Sequence, residues 1–168
     1  DDPELAHVVT DCLRRDGIDL HQNTRVTGVE AAGDGVAVLA ECNGEQLRIE
    51  GSHLLLAAGR KANIDGLGLE AAGVKSGPKG IEVDQRLRTA NRKIYAIGDV
   101  TGGLQFTHMA GFEAGIVLRS ALFRLPAKGV TDAAPWVTYT EPELANVGLK
   151  EAEARAIHGE ILILRWPF

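Results

Sequence analysis

Two short dipeptides constrain this chain more than any other feature. Asp34-Gly35 and Asn43-Gly44 each separate runs of strand-like sequence, at Arg25 to Ala31, Val36 to Cys42 and Gln46 to Glu50. Two-residue hairpin turns need positive φ, and these residue pairs tolerate it. Three runs joined by two such turns predict a three-stranded antiparallel meander. Val36, Val38, Ala40 and Cys42 recur at every second position, which predicts one buried face on the middle strand. The next run has another character. His53 to Ala58 is continuously apolar and ends in Gly59, the pattern of a fully buried parallel strand.

Helices frame these strands. Residues 3 to 16 predict the first, with Asp2 as cap, Pro3 at the first helical position and Gly17 as terminator. Leu5, Val8, Val9, Cys12 and Leu13 form its apolar stripe. Ile18 to Leu20 reads as a short strand, and Leu69 to Ala72 as a short helical piece. Ile81 to Asp84 and Lys93 to Ile97 read as strands. Thr107 to Leu125 predicts a long helix. After a linker at Pro126 to Pro135 come a strand at Trp136 to Tyr139, a helix at Lys150 to His158 and a strand at Glu160 to Arg165.

Composition narrows the classes of function. With 168 residues, 45% hydrophobic and 24% charged, the chain has the mix of an ordinary globular domain. A net charge of −5 without a basic stripe argues against nucleic acid as a partner, and 5% aromatics leave few platforms for base stacking. Apolar runs are too short to span a bilayer, so no membrane partner is expected. Cys12 and Cys42 form no CxxC or metal spacing, so two free thiols in a reducing, cytoplasmic setting are expected. The five histidines are scattered without ligand spacing, so no metal site is expected. The chain opens on Asp1 and closes on the apolar Ile161 to Phe168, which reads as a fragment of a longer protein.

The sharpest chemical signal is Thr89-x5-Tyr95-Ala96-Ile97-Gly98-Asp99. A buried strand here delivers one carboxylate at its C-terminal end, where ligands of open α/β sheets sit. A carboxylate there can accept hydrogen bonds from sugar or ribityl hydroxyls, and Gly98 lets the backbone pass close to a bound group. Free amides at the start of the Thr107 helix can face a polar or anionic ligand edge. The competing reading is that Asp99 only caps a loop. Gly66-Leu67-Gly68-Leu69-Glu70-Ala71 fits a dinucleotide fingerprint by letter. It neither follows a strand at once nor opens a long helix, so a turn with a short helix is expected instead.

Ile94 to Val100, followed by Phe106-Thr107-His108-Met109-Ala110, resembles the second FAD-binding motif of the pyridine nucleotide-disulfide oxidoreductases. Leu56-Ala57-Ala58-Gly59-Arg60 resembles that family's return from its NAD(P) domain to its FAD domain. Pro135 to Pro142, with Val147-Gly148-Leu149, is similar to the opening of its dimerisation domain. The resemblance implies an α/β fold in three pieces. Residues 1–53 would end an NAD(P)-binding domain and carry the meander. Residues 54–126 would end an FAD-binding domain of Rossmann-like type, and 127–168 would begin an α+β dimerisation domain.

The resemblance also implies roles. Gly98 and Asp99 would approach FAD, with Asp99 on its ribityl chain. Gln105, Phe106, Thr107 and His108 would lie along the flavin pyrimidine edge. Gly59 would lie near the nicotinamide cofactor, NAD or NADP, and Val26 near its adenine end; Val137 would offer a carbonyl towards the nicotinamide. The chain has no Cys-x4-Cys pair, no GxGxxG fingerprint and no late His-Glu pair, so no catalytic residue is assigned. The expected whole is a homodimeric, FAD-dependent NAD(P)H oxidoreductase that passes electrons to a disulfide, a metal ion or a similar small acceptor. The chain by itself is expected to be inactive and to self-associate. The alternative is a non-catalytic nucleotide-binding or assembly module.

Overall fold

The computed structural model describes residues 1–129 and 133–166. They divide into two compact units, one built mainly on Pro3–Gly59 and one mainly on Arg60–Thr138.

In the first unit, helix α1 spans Pro3–Arg15. Gly17 follows at φ 85, and its amide closes the helix on the Arg14 carbonyl at 3.0 Å. Only Val9 of the expected stripe is buried, while Leu5 and Val8 stay about half exposed. The expected strand at Ile18 to Leu20 is irregular chain.

The meander forms as expected. Strands β1 (Thr24–Ala32), β2 (Gly35–Cys42) and β3 (Glu45–Gly51) make one antiparallel sheet in chain order. Asn43 (φ 52) and Gly44 (φ 86) make the second turn, with positive φ at both central positions. The first turn lies one residue earlier than expected. Gly33 takes the positive φ of 55, and Gly35 already pairs with Ala32. Gly35 is needed there because a Cβ would stand 2.4 Å from the Gly51 carbonyl oxygen. The pairing shifts between Val26 and Gly28, a bulge that leaves Thr27 as the extra residue of β1. Arg25 pairs with Glu41 directly opposite, and Arg48 reaches Glu30.

The expectation of one buried face on β2 needs correction. The buried residues are Ala37 and Ala40, which lie on opposite faces. Both are short side chains on the central strand, shaded by longer neighbours on the strands at either side.

The run His53 to Ala58 also departs from expectation, because it is not a strand. Leu55 is 88% and Leu56 82% exposed. A parallel strand takes its hydrogen bonds from strands brought alongside by crossovers. The three-stranded sheet is antiparallel throughout, and the run pairs with none of its strands.

The second unit has a core of Val74, Ile81 and Ala96, packed by Ile64, Leu69, Ala72, Val83, Ile94 and Val100. The Gly66–Ala71 sequence is a chain of turns, with Gly66 and Gly68 at φ 76 and 64. One α-turn at Gly68–Ala72 stands where a short helix was expected. The expected strands at Ile81 to Asp84 and Lys93 to Ile97 shrink. β4 (Ser76–Gly77) pairs with β5 (Gly80–Ile81), and Tyr95 makes only an isolated bridge to Arg88. Asn91 links these loops by donating its Nδ2–H to the Ala72 carbonyl at 2.8 Å.

Helix α2 spans Thr107–Val117 and runs on as a π-helical turn over Leu118–Leu122. Met109, Ile116 and Ser120 are its buried positions, spaced seven and four residues apart along one face. Strands β6 (Pro135–Thr138) and β7 (Leu144–Val147) and helix α3 (Glu151–His158) follow. Part of the expected linker, residues 130–132, lies outside the described residues. The expected strand at Glu160 to Arg165 is exposed irregular chain.

Candidate functional site

Asp99 sits on a single 3-10 turn, Gly98–Thr101, packed against α2. The turn begins at Gly98, whose φ of 68 suits glycine. A Cβ on Gly98 would stand 3.1 Å from the Ala110 Cβ, so the turn approaches the helix closely. Three further bonds hold it. The Gly98 amide donates to the Glu113 Oε2 at 2.6 Å, the Thr101 hydroxyl to the Gly98 carbonyl at 2.8 Å, and the Gly102 amide to the Asp99 carbonyl at 3.1 Å. The backbone is thus fixed while the Asp99 side chain points outward, 57% exposed. Its nearest cation is Arg60, at 3.9 Å, an ion-pair distance too long for a hydrogen bond. The carboxylate therefore keeps acceptor capacity for a ligand hydroxyl.

The start of α2 follows the turn after five residues. Phe106 occupies the cap position at φ −122, and no side chain caps the helix. Its carbonyl takes the Met109 and Ala110 amides, so the Thr107 and His108 amides lie ahead of the helical ladder. Such a terminus carries positive partial charge and suits an electron-rich ligand edge. The His108 ring stacks on Phe106 with centroids 5.3 Å apart. Its Nε2–H donates to the Pro135 carbonyl at 2.8 Å, which fixes the proton on that nitrogen. Gln105 lines a cavity of about 370 Å³ with Arg60, Lys61, Lys79, Gly102 and Gly103. Gly102 brings the turn against the Lys79 carbonyl so closely that a Cβ has no room there.

The structure therefore brings Gly98, Asp99, Gln105, Phe106, Thr107 and His108 into one region. Gly59 and Val26 belong to the other unit. Gly59 is exposed at φ 109, and Val26 is 61% exposed beside the β1 bulge. Val137 lies on β6 and is half-buried.

Two residues join the site that residue-by-residue reading passed over. Arg60 was visible as the end of the Gly59-Arg60 motif, but its approach to Asp99 has no sequence signature. Glu113 gave no signal, because a carboxylate in mid-helix reads as a solvated face. Only the fold turns it towards the Gly98 amide.

A fixed acidic turn and an uncapped helix start are groups that can hold a polar ligand. The chain belongs to the pyridine nucleotide-disulphide oxidoreductase family, whose pattern it matches over residues 1–114. It is 40% identical over 155 residues to a mercuric reductase of Staphylococcus aureus, covering 92% of this chain and 28% of that protein. It is 36% identical over 167 residues to a dihydrolipoyl dehydrogenase of Bacillus subtilis (strain 168), covering 98% of this chain and 35% of that one. Among solved structures it resembles LpdA of Mycobacterium tuberculosis, with a TM-score of 0.82 and 32% identity over 92% of this chain and 33% of that one. It also resembles the HOCl-induced flavoprotein disulfide reductase RclA of Escherichia coli in its Cu(II) complex. There the TM-score is 0.80 and the identity 31%, over 93% of this chain and 36% of RclA. The chain thus spans about a third or less of the length of the curated relatives cited. No helix among the described residues is long and apolar enough to cross a membrane.

Proposed function

We propose that this chain is the central-to-C-terminal segment of an FAD-dependent NAD(P)H oxidoreductase and carries one half of its flavin site. The observation that carries this reading is the Asp99 turn held against the uncapped start of α2. Three features fit a flavin nucleotide. Asp99 offers an exposed carboxylate for ribityl hydroxyls. The Thr107 and His108 amides, with the partial charge of the helix, suit the pyrimidine edge. Gly98 and Gly102 let the turn pack against Ala110 and Lys79, which fixes the backbone that presents Asp99.

FAD, when bound, would take a hydride from NAD(P)H and pass two electrons to an acceptor. The residues of this chain would bind and orient it. Asp99 would anchor the ribityl chain, Gln105 and Phe106 would line the flavin edge, and the helix start would favour negative charge there. Gly59 and Val26 would serve the NAD or NADP side, with Gly59 near the nicotinamide and Val26 near the adenine. The domain limits that go with this reading are 1–53, 54–126 and 127–168. The whole protein would be a cytoplasmic homodimer, and its acceptor a disulfide, a metal ion or a similar small molecule. Relatives named mercuric reductase and dihydrolipoyl dehydrogenase support those acceptor classes.

The 168-residue chain lacks a Cys-x4-Cys pair and any pyrophosphate-binding fingerprint. It is therefore inactive alone on this reading. The test is NADH and NADPH oxidation by the purified chain with FAD and a disulfide or quinone acceptor. The expected rate is the no-protein background. Turnover at an ordinary enzyme rate would refute the reading of a half site.

A further inference from the structure

At the far end of α2 from Asp99, three arginines surround a second cavity. The helix and its π-helical turn run from Thr107 to Leu122, a rise of roughly 24 Å along the axis. Beyond that end lies a cavity of about 590 Å³ lined by Arg86, Arg88, Tyr95, Ser120, Arg124 and Leu125, together with Ala121 and Pro126. None of the lining residues is acidic.

Arg86 and Arg88 attract the Asp84 carboxylate, though neither closes to ion-pair distance on it. Among the described residues, none of the three is in an ion pair. Arg88 lies over the Tyr95 ring, 5.6 Å from its centroid, and its Nε donates to the Tyr95 hydroxyl at 3.1 Å. That contact orients the side chain and leaves its terminal nitrogens for a ligand. The nearby carboxylate, Asp84, spends one oxygen on the Arg86 and Arg88 backbone amides at 2.8 and 3.0 Å. The left-handed backbone of Arg124 ends the helix, and its side chain takes no part in that cap. The Leu118 and Arg119 carbonyls there take the Phe123 and Leu125 amides. Arg124 itself sits at φ 56, a left-handed conformation that costs a non-glycine residue energy.

We infer that Arg86, Arg88 and Arg124 form a binding site for a small molecule carrying two or more linked phosphate groups. Guanidinium forks match phosphate oxygens two at a time, and three of them suit a ligand of several negative charges. The volume exceeds what a diphosphate fills. Tyr95, Leu125 and Pro126 offer an apolar wall for an attached organic group.

The test is calorimetric titration of the chain with sodium pyrophosphate, ADP and citrate at fixed ionic strength. Saturable binding of pyrophosphate at one site per chain is expected, with citrate at least tenfold weaker. ADP tighter than pyrophosphate would assign the apolar wall to an organic group, and equal affinity would assign recognition to the phosphates alone; both support the site. Arg88→Gln should weaken pyrophosphate at least tenfold. Arg124→Gly should do the same while leaving thermal stability unchanged or higher, because glycine relieves the positive φ. Unsaturable heats, citrate as tight as pyrophosphate, or unchanged affinity in Arg124→Gly would overturn the proposal.

Discussion

Asp99 owes its position to Gly98 and Glu113. Gly98 permits the turn and Glu113 anchors it. Gly98→Ala meets a left-handed φ of 68 and the Ala110 methyl at 3.1 Å, so it should cost about 1–2 kcal/mol or more. Glu113→Ala strands the amide of a buried glycine and should cost about 1–3 kcal/mol, whereas Glu113→Gln keeps an acceptor and should cost less. Urea midpoints of the three variants check both statements; equal loss in Glu113→Ala and Glu113→Gln would contradict the hydrogen-bond account. At this scale the sequence was partly readable. Asp99, Thr107 and His108 stood out because a strand ending in Gly-Asp and a helix start leave recognisable residues. Arg60 and Glu113 did not stand out as partners, because their contacts join positions 39 and 15 residues apart through the fold alone.

Elements were most legible where local chemistry decides them. The Asn43-Gly44 turn needs positive φ at both positions, and the meander follows from it. Helices α1 and α3 lie within a residue of expectation, and Gly17 and Gly159 follow their last turns at positive φ. The long helix ended earlier in regular form, with a π-helical turn before Phe123. The expected strands at His53 to Ala58 and Glu160 to Arg165 failed, because an apolar run becomes a strand only beside another strand. On β2, Ala40 is 1% exposed, so Ala40→Leu should destabilise by about 1–3 kcal/mol through overpacking, measurable as a lower Tm.

The loop after β5 adds a pH dependence. Hydrogen bonds from the Arg88 and Arg86 amides hold the Asp84 carboxyl below the ordinary aspartate range, against the opposing effect of desolvation. The stabilisation is therefore present above the unfolded aspartate pKa and is lost as pH falls through the lower folded value. The group is almost fully exposed, so the effect is small. Asp84→Asn should flatten part of the acid limb of the stability profile between about pH 5 and pH 3. An unchanged acid limb would contradict the assignment.

At the scale of the molecule, the distribution of apolar surface is the main finding. Leu55, Leu56, Leu162, Leu164 and Trp166 are each more than 80% exposed. The chain covers about a third or less of its cited relatives, and surface of this kind is normally covered by further structure. Sedimentation of the isolated chain should therefore show association that grows with concentration, and a clean monomer at high concentration would contradict this. Composition forecast a globular chain but not this exposure, since 45% hydrophobic content says nothing about which surfaces meet.

The central claim is that the Asp99 turn and the start of α2 form the ribityl-and-pyrimidine half of a flavin site. Titration of FAD fluorescence with the purified chain, beside Asp99→Ala, tests it most directly. The account predicts weak but saturable binding that Asp99→Ala weakens about 10- to 100-fold, the loss of one or two hydrogen bonds to a charged acceptor. No saturable binding, or binding that survives Asp99→Ala unchanged, would contradict it.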